Sequence, residues 1–240
     1  MQIIPISELT FDPCLNSVDF FYSFTSDLTK HIDYFYSILS NEEIERAKKF
    51  HFESDRQTYL VSHGSLRFIL AKKLNIKPLD IVYTKNSFEK PIIEKPNCFF
   101  NLSHTSNFFG IVYSNKFSIG VDIEKFERDI NWQAISERFY SDEENEQINH
   151  SEKAEQVRTF TATWTRKEAI LKAIGCGMVN DLKEINSVNE HFQLTNELVK
   201  SIGFEPEFLR LNLKTFICEN HVASIAFPEF FKINSQKIEL

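Results

Sequence analysis

The sequence predicts an α+β protein built from two similar-sized halves. Three observations carry that expectation. Apolar residues recur at helical spacing between residues 39 and 74, strand-like runs follow as far as residue 125, and helices followed by strands then return to the end of the chain. The 240 residues suffice for one large domain or two small ones, and for a substantial core.

The elements follow in order. "LSNEEIERAKKF" (39–50) starts as a helix, with Ser40 as N-cap, Glu43 three residues on, and acids ahead of bases. "DRQTYLVSHGSLRFILAKKLNI" is a second helix on the spacing of Leu60, Leu66, Ile69, Leu70 and Leu74, with Gly64 in its middle. "DIVYTKNSFEKPIIEKPNCFFNLSH" alternates extended pieces and turns, punctuated by Pro91 and Pro96. "FFGIVYSNKFSIGVDIE" predicts a hairpin around Ser114-Asn115-Lys116. "INWQAISERFYSDEENEQI" is a helix broken near Ser141. "SEKAEQVRTFTATWTRKEAILKAIG" is a longer one, started by Ser151 and ended by Gly175, with a threonine-rich centre of poor helix propensity. "FLRLNLKTFICENHVASIAF" closes the chain with strands and a hairpin. The expected division is 1–105 and 106–240, with no convincing repeat between the halves.

Composition narrows the function. A formal net charge of -7 argues against a broad nucleic-acid-binding surface, though not against a local basic pocket for a small anion. No apolar run approaches ~18 residues, so no membrane span is expected. The N-terminus lacks the basic start and apolar stretch of a signal peptide. Cys14, Cys98, Cys176 and Cys218 have no zinc-finger or CxxC spacing and read as reduced thiols of a cytoplasmic protein.

In "SIGVDIEKFE", strand alternation puts Ile119, Val121 and Ile123 on one face and Gly120, Asp122 and Glu124 on the other. Two carboxylates side by side repel unless water, a base or a cation lies between them. In "WTRKEAILKAIG", Trp164, Glu168 and Lys172 share a helix face. Each motif alone is ordinary: exposed acids and a surface ion pair explain them. Together, Asp122, Glu124 and Glu168 would make an all-oxygen site suited to Mg2+ or Mn2+, of the kind that also binds substrate phosphates. In "FFNLSHT", Ser103 and His104 point to opposite faces of a strand, so His104 is not placed to activate Ser103. His104 reads as a hydrogen-bond donor to a phosphate or as a structural histidine. Arg46, Lys48, Lys49, Arg56 and Arg67 gather on the two N-terminal helices, with Lys90 in "FEKP". A solvated face explains such charges, and a polyphosphate ligand would use a few of them.

"SIGVDIE" followed about forty residues later by "WTRKEAILKAIGCG" resembles the signature of the 4'-phosphopantetheinyl transferases. "RAKKFHFESDRQTYLVSHGSLR", "FEKPII", "FFNLSHT" and "RFYSDEE" extend the resemblance over roughly residues 40 to 185. The length is similar to the surfactin-type class, whose single chain forms an intramolecular pseudo-dimer of two α+β halves with coenzyme A between them. The resemblance implies transfer of phosphopantetheine from coenzyme A to a serine of an apo acyl or peptidyl carrier protein by a monomer, releasing adenosine 3',5'-bisphosphate. It implies Mg2+ on Asp122, Glu124 and Glu168, with Glu168 also orienting or deprotonating the serine and Lys172 steadying the leaving phosphate. Arg46, Lys90, Ser103 and His104 would hold nucleotide phosphates, with Lys49 and Arg56 as further basic candidates. Thr58 and His63 stand where many members carry arginine. Two other functions use the same residues: a Mg2+-dependent phosphate-ester or pyrophosphate hydrolase, and a non-catalytic module that binds coenzyme A or a carrier.

Overall fold

A computed structural model describes residues 3–5, 17–94, 98–126, 130–177, 182–203, 206–229 and 231–238. Cys14, Pro96 and most of the N-terminal segment lie outside these residues. The elements are β1 (Ile3–Pro5), β2 (Ser17–Phe24), α1 (Thr25–Leu28), α2 (Ile32–Ile38), α3 (Asn41–Ala47), α4 (Glu53–Leu74), β3 (Thr84–Lys85), β4 (Pro91–Ile92), β5 (Phe99–Thr105) and β6 (Phe108–Ser114). They continue with β7 (Gly120–Lys125), α5 (Trp132–Phe139), α6 (Asp142–His150), α7 (Gln156–Ile174), β8 (His191–Gln193), α8 (Asn196–Ile202), β9 (Arg210–Cys218), β10 (His221–Pro228) and β11 (Lys232–Lys237).

Two sheets hold the molecule together. One has the order β11-β2-β6-β5, the other β1-β9-β10-β7 with β8 also on β9. Period-two alternation assigns the faces. On β6, Phe109, Ile111 and Tyr113 pack with Phe35 of α2 and Val61 and Leu70 of α4, while Phe108 and Val112 turn the other way. There they meet Val121 and Ile123 of β7, Phe216 of β9 and Ile225 of β10 in a core between the sheets. Behind the second sheet, Ala169 and Ile170 of α7 pack with Leu213 and Ala226. The layers are therefore helix, sheet, sheet, helix, and the expected α+β architecture of two sheet-and-helix halves is what forms.

Each half carries a capping box: Ser40 with Glu43 starts α3, and Ser141 with Glu144 starts α6, giving the break near Ser141. Gly64 lets α4 approach α2, since a Cβ there would lie 2.5 Å from the Phe35 side chain. Gly120 lets β7 lie against α7, since a Cβ would meet the Ala169 carbonyl oxygen at 2.1 Å.

Two local expectations change. The chain around Ser114-Asn115-Lys116 is not a hairpin: β6 is buried along its length with both edges occupied by β2 and β5, so the chain crosses to the other sheet and β7 pairs with β10. The tight hairpin is β5–β6, turning at Ser106 with φ 49°. Ser151 ends α6 instead of starting α7: its amide bonds the Ile148 carbonyl, its hydroxyl bonds that of Gln147, and α7 begins only at Gln156. Gly175 does end α7, in the left-handed region at φ 82°. The two ends of the described chain cross over: β11 lies parallel to β2, and β1 parallel to β9.

Candidate active site

The sheets converge where edge strand β5 meets edge strand β7. Here side chains replace a backbone ladder: Asn101 Oδ1 accepts from the Val121 amide at 3.0 Å, and Ser103 Oγ accepts from the Ile123 amide at 3.1 Å. Asn101 and Ser103 alternate with His104 on β5, so the strand stitches inward and presents the imidazole outward.

Asp122 is the centre of the site. It is buried, and its Oδ1 pairs with Lys172 Nζ at 2.6 Å. Ser103 Oγ donates to the same oxygen at 3.2 Å. Lys172 also donates to the Val121 carbonyl at 3.2 Å and to Ser103 Oγ at 3.4 Å. The other oxygen, Oδ2, is buried with no hydrogen-bond partner. A buried carboxylate oxygen left unsatisfied costs free energy, and a cation would satisfy it. Glu168 lies within electrostatic reach: burial first, then the charge of Asp122, and also that of Glu124, raise its carboxyl above the usual range against the pull of Lys172. Three carboxylates with one bare oxygen fit a hard divalent cation. Among the described residues no three His, Cys, Asp or Glu side chains already gather as a closed ion cage.

A cavity of about 350 Å³ opens beside the acids, bordered by Phe88, Lys90, Asn101, Glu168, Lys172 and Cys176. An apolar depression of about 220 Å³ lies on the far side of Glu124, where Ile130, Ile135, Phe160 and Trp164 line it. Trp164 is thus on the Glu124 side of α7, and its ring meets Phe139 edge-on at 6.2 Å.

The basic candidates divide. Arg46 lies over the Tyr59 ring at 5.7 Å, His63 stacks on Tyr59 at 4.0 Å, and His63 faces His104 edge-on at 6.4 Å. Burial, then the charges of His63, Lys172 and Arg46, push His104 down to about 4, so it is neutral at pH 7. Burial also lowers His63, although Glu43 opposes this. Arg46, His63 and His104 therefore cluster within electrostatic reach of Lys172, Arg46 bringing a charge and the neutral imidazoles N–H donors for an anion. Tyr59 and His63 were not among the sequence candidates, and their i, i+4 spacing on α4 was the signal that could have found them. Lys49 is exposed on the turn after α3, and Arg56 pairs with Glu53 at 2.6 Å at the exposed start of α4. Arg67 is buried and structural, bonded to Glu43 at 2.6 Å and to the carbonyls of Pro78 and Ile81. Lys90 is turned into the junction of the halves.

Comparison with known proteins finds one family over both halves of the chain. A family model described as the 4'-phosphopantetheinyl transferase superfamily matches residues 118–226, and one described as 4'-phosphopantetheinyl transferase, N-terminal, matches residues 26–116. The chain belongs to this superfamily. It is similar to the 4'-phosphopantetheinyl transferase gsp of Aneurinibacillus migulanus, 32% identical over 162 residues that cover 66% of this chain and 65% of the relative. It is similar to HetI of Nostoc, 31% identical over 151 residues, 61% of this chain and 63% of that one. It is also similar to Sfp of Bacillus subtilis, 28% identical over 145 residues, 60% and 63%. The chain thus spans less than two thirds of the length of these relatives. Among the described residues, no helix is long and apolar enough to cross a membrane.

Proposed function

We propose that the chain transfers the 4'-phosphopantetheine arm of coenzyme A to a serine hydroxyl of an apo acyl or peptidyl carrier protein, with Mg2+ (or Mn2+) held by Asp122, Glu124 and Glu168. The observation that carries this reading is the buried Asp122 carboxylate, one oxygen on Lys172 and the other bare, at the meeting of two halves that both match the family. When bound, the dication neutralises pyrophosphate charge, the principal need of a phosphoryl transfer.

The chain's own groups take the remaining tasks. Glu168, made more basic by burial and by the charge of Asp122, accepts the proton of the carrier serine directly or through water. The serine oxygen forms a bond to the pantetheine-side phosphorus as the pyrophosphate P–O bond breaks. The electron pair departs on adenosine 3',5'-bisphosphate, whose new charge lies within reach of Lys172. Arg46, His63 and His104 offer donors to the nucleotide phosphates. The neutral His104 can donate only one N–H unless an arriving phosphate raises its pKa. Both halves lie in one chain, which supports action as a monomer, and the thiols Cys98, Cys176 and Cys218 suit the cytosol.

The test is conversion of apo carrier to holo carrier. Incubated with coenzyme A and Mg2+, a carrier should gain the mass of one phosphopantetheine on one serine. Chelator should stop the gain, and Asp122→Ala should slow it on the order of 100-fold or more. Coenzyme A consumed without any carrier would instead mean a hydrolase. Binding without turnover across a panel of carriers from different pathways would mean a binding module.

A further inference from the structure

The C-terminal turn of α7, which carries Lys172, ends in carbonyls that a helix cannot satisfy itself. Gly175 bonds back to the Leu171 carbonyl. The next ones are met by side chains from elsewhere. Lys90 Nζ donates to the Lys172 carbonyl at 2.6 Å, Ser118 Oγ to that of Ala173 at 2.6 Å, and Asn86 Nδ2 to that of Gly175 at 3.0 Å. Asn86 also holds the β3–β4 turn, its Oδ1 accepting from the amides of Phe88 and Lys90. A hairpin of the first half is thereby clasped onto the end of the helix of the second.

Lys90 is the pin of this clasp. Besides the Lys172 carbonyl, its ammonium reaches Ser118 Oγ at 3.3 Å and the Ile119 carbonyl at 3.4 Å. An ammonium has three donors, and these three acceptors use them all. A cation at a helix C-terminus also complements the helix dipole. Burial and the nearby charge of Lys172 push the Lys90 amine down to about 8, in keeping with a group enclosed by protein. Lys172 is consequently held at both ends: its carbonyl by Lys90, its amine by Asp122 and the Val121 carbonyl.

We propose that Lys90 is a positioning residue, which fixes the last turn of α7 and with it the Lys172 amine, and is not a ligand of the nucleotide phosphates. The inference rests on the transferase reading for its kinetic consequence, but the clasp itself can be measured without any reaction. In the full-length protein, Lys90→Met should lower kcat at saturating coenzyme A on the order of 10-fold or more, with KM for coenzyme A unchanged within about 2-fold. Ser118→Ala should act in the same direction more weakly. Hydrogen–deuterium exchange of residues 171–177 should quicken in both variants relative to wild type. A phosphate ligand predicts the reverse: KM rises, kcat holds and exchange is unaltered. That result, or unaltered exchange in both variants whatever the kinetics, overturns the proposal. If Lys90→Met fails to fold, Ser118→Ala carries both measurements. If the wild type transfers nothing to any carrier, the functional reading fails while the exchange measurement still decides the clasp.

Discussion

Glu43 shows how one side chain joins fold to site. It caps α3 through Ser40, pairs with the buried Arg67 and lies 3.8 Å from His63. Burial alone would raise its carboxyl, but the nearby His63, the hydrogen bonds from Ser40 and the charge of Arg67 outweigh it and hold the pKa at about 2. A folded-state pKa below the unfolded one stabilises the protein above about 4.3, and that stabilisation drains as pH falls toward about 2. Glu43→Gln should therefore cost on the order of 2 kcal/mol at pH 7, and the gap to wild type should close as the pH drops through that window. Urea titrations across pH check this, and a constant gap would contradict it. Much of the candidate site at this scale was legible. Asp122 and Glu124 announce themselves by alternation, and Glu168 and Lys172 by a four-residue step. What alternation does not encode is which partner a long side chain finds. Arg67 read as part of a basic helix face and Lys90 as a phosphate candidate, but in the fold Arg67 bonds Glu43 and two backbone carbonyls, and Lys90 bonds Ser118 and the Lys172 carbonyl.

Among elements, the contact of β7 with α7 matters most, because it brings the acids of the strand beside the acid and lysine of the helix. Gly120 makes it possible. Its missing Cβ leaves room for the Ala169 carbonyl and the Ala173 amide, both backbone atoms that have nowhere to yield. Gly120→Ala should cost about 3 kcal/mol or more, at the upper end of overpacking, and should abolish the site by levering strand from helix. Thermal or urea unfolding of the purified variant checks it, and near wild-type stability would contradict the close approach. Helix starts were readable where chemistry is local: Ser40 and Ser141 each sit three residues ahead of a glutamate. The supposed hairpin at Ser114 was misread because "SNK" between two apolar runs is the same signal whether the second run turns back or changes sheet. The burial of β6 on both faces, which decides it, is a tertiary fact.

For the whole molecule, the exchanged ends are the defining feature. The α+β class and two-halved plan were visible in the order of elements. The pairings of β1 with β9 and β11 with β2 were not, since a parallel contact between residues some 200 apart leaves no local pattern. β11 covers the edge of β2 along six residue pairs, and Ile238 just beyond it enters the first-half core. Deleting residues 231–240 should lower Tm on the order of 10 °C and promote self-association. Calorimetry and light scattering would show this, and an unchanged melting point would contradict it. The same arrangement sets a timetable at the ribosome. The strand that completes the first sheet is the last described one to be synthesised, so β2, with its run "SVDFFYSF", emerges and waits with an open edge until residues 232–237 have been made. A first half that folds ahead of the second therefore exposes that edge, and the nascent protein is most in need of a chaperone during that interval.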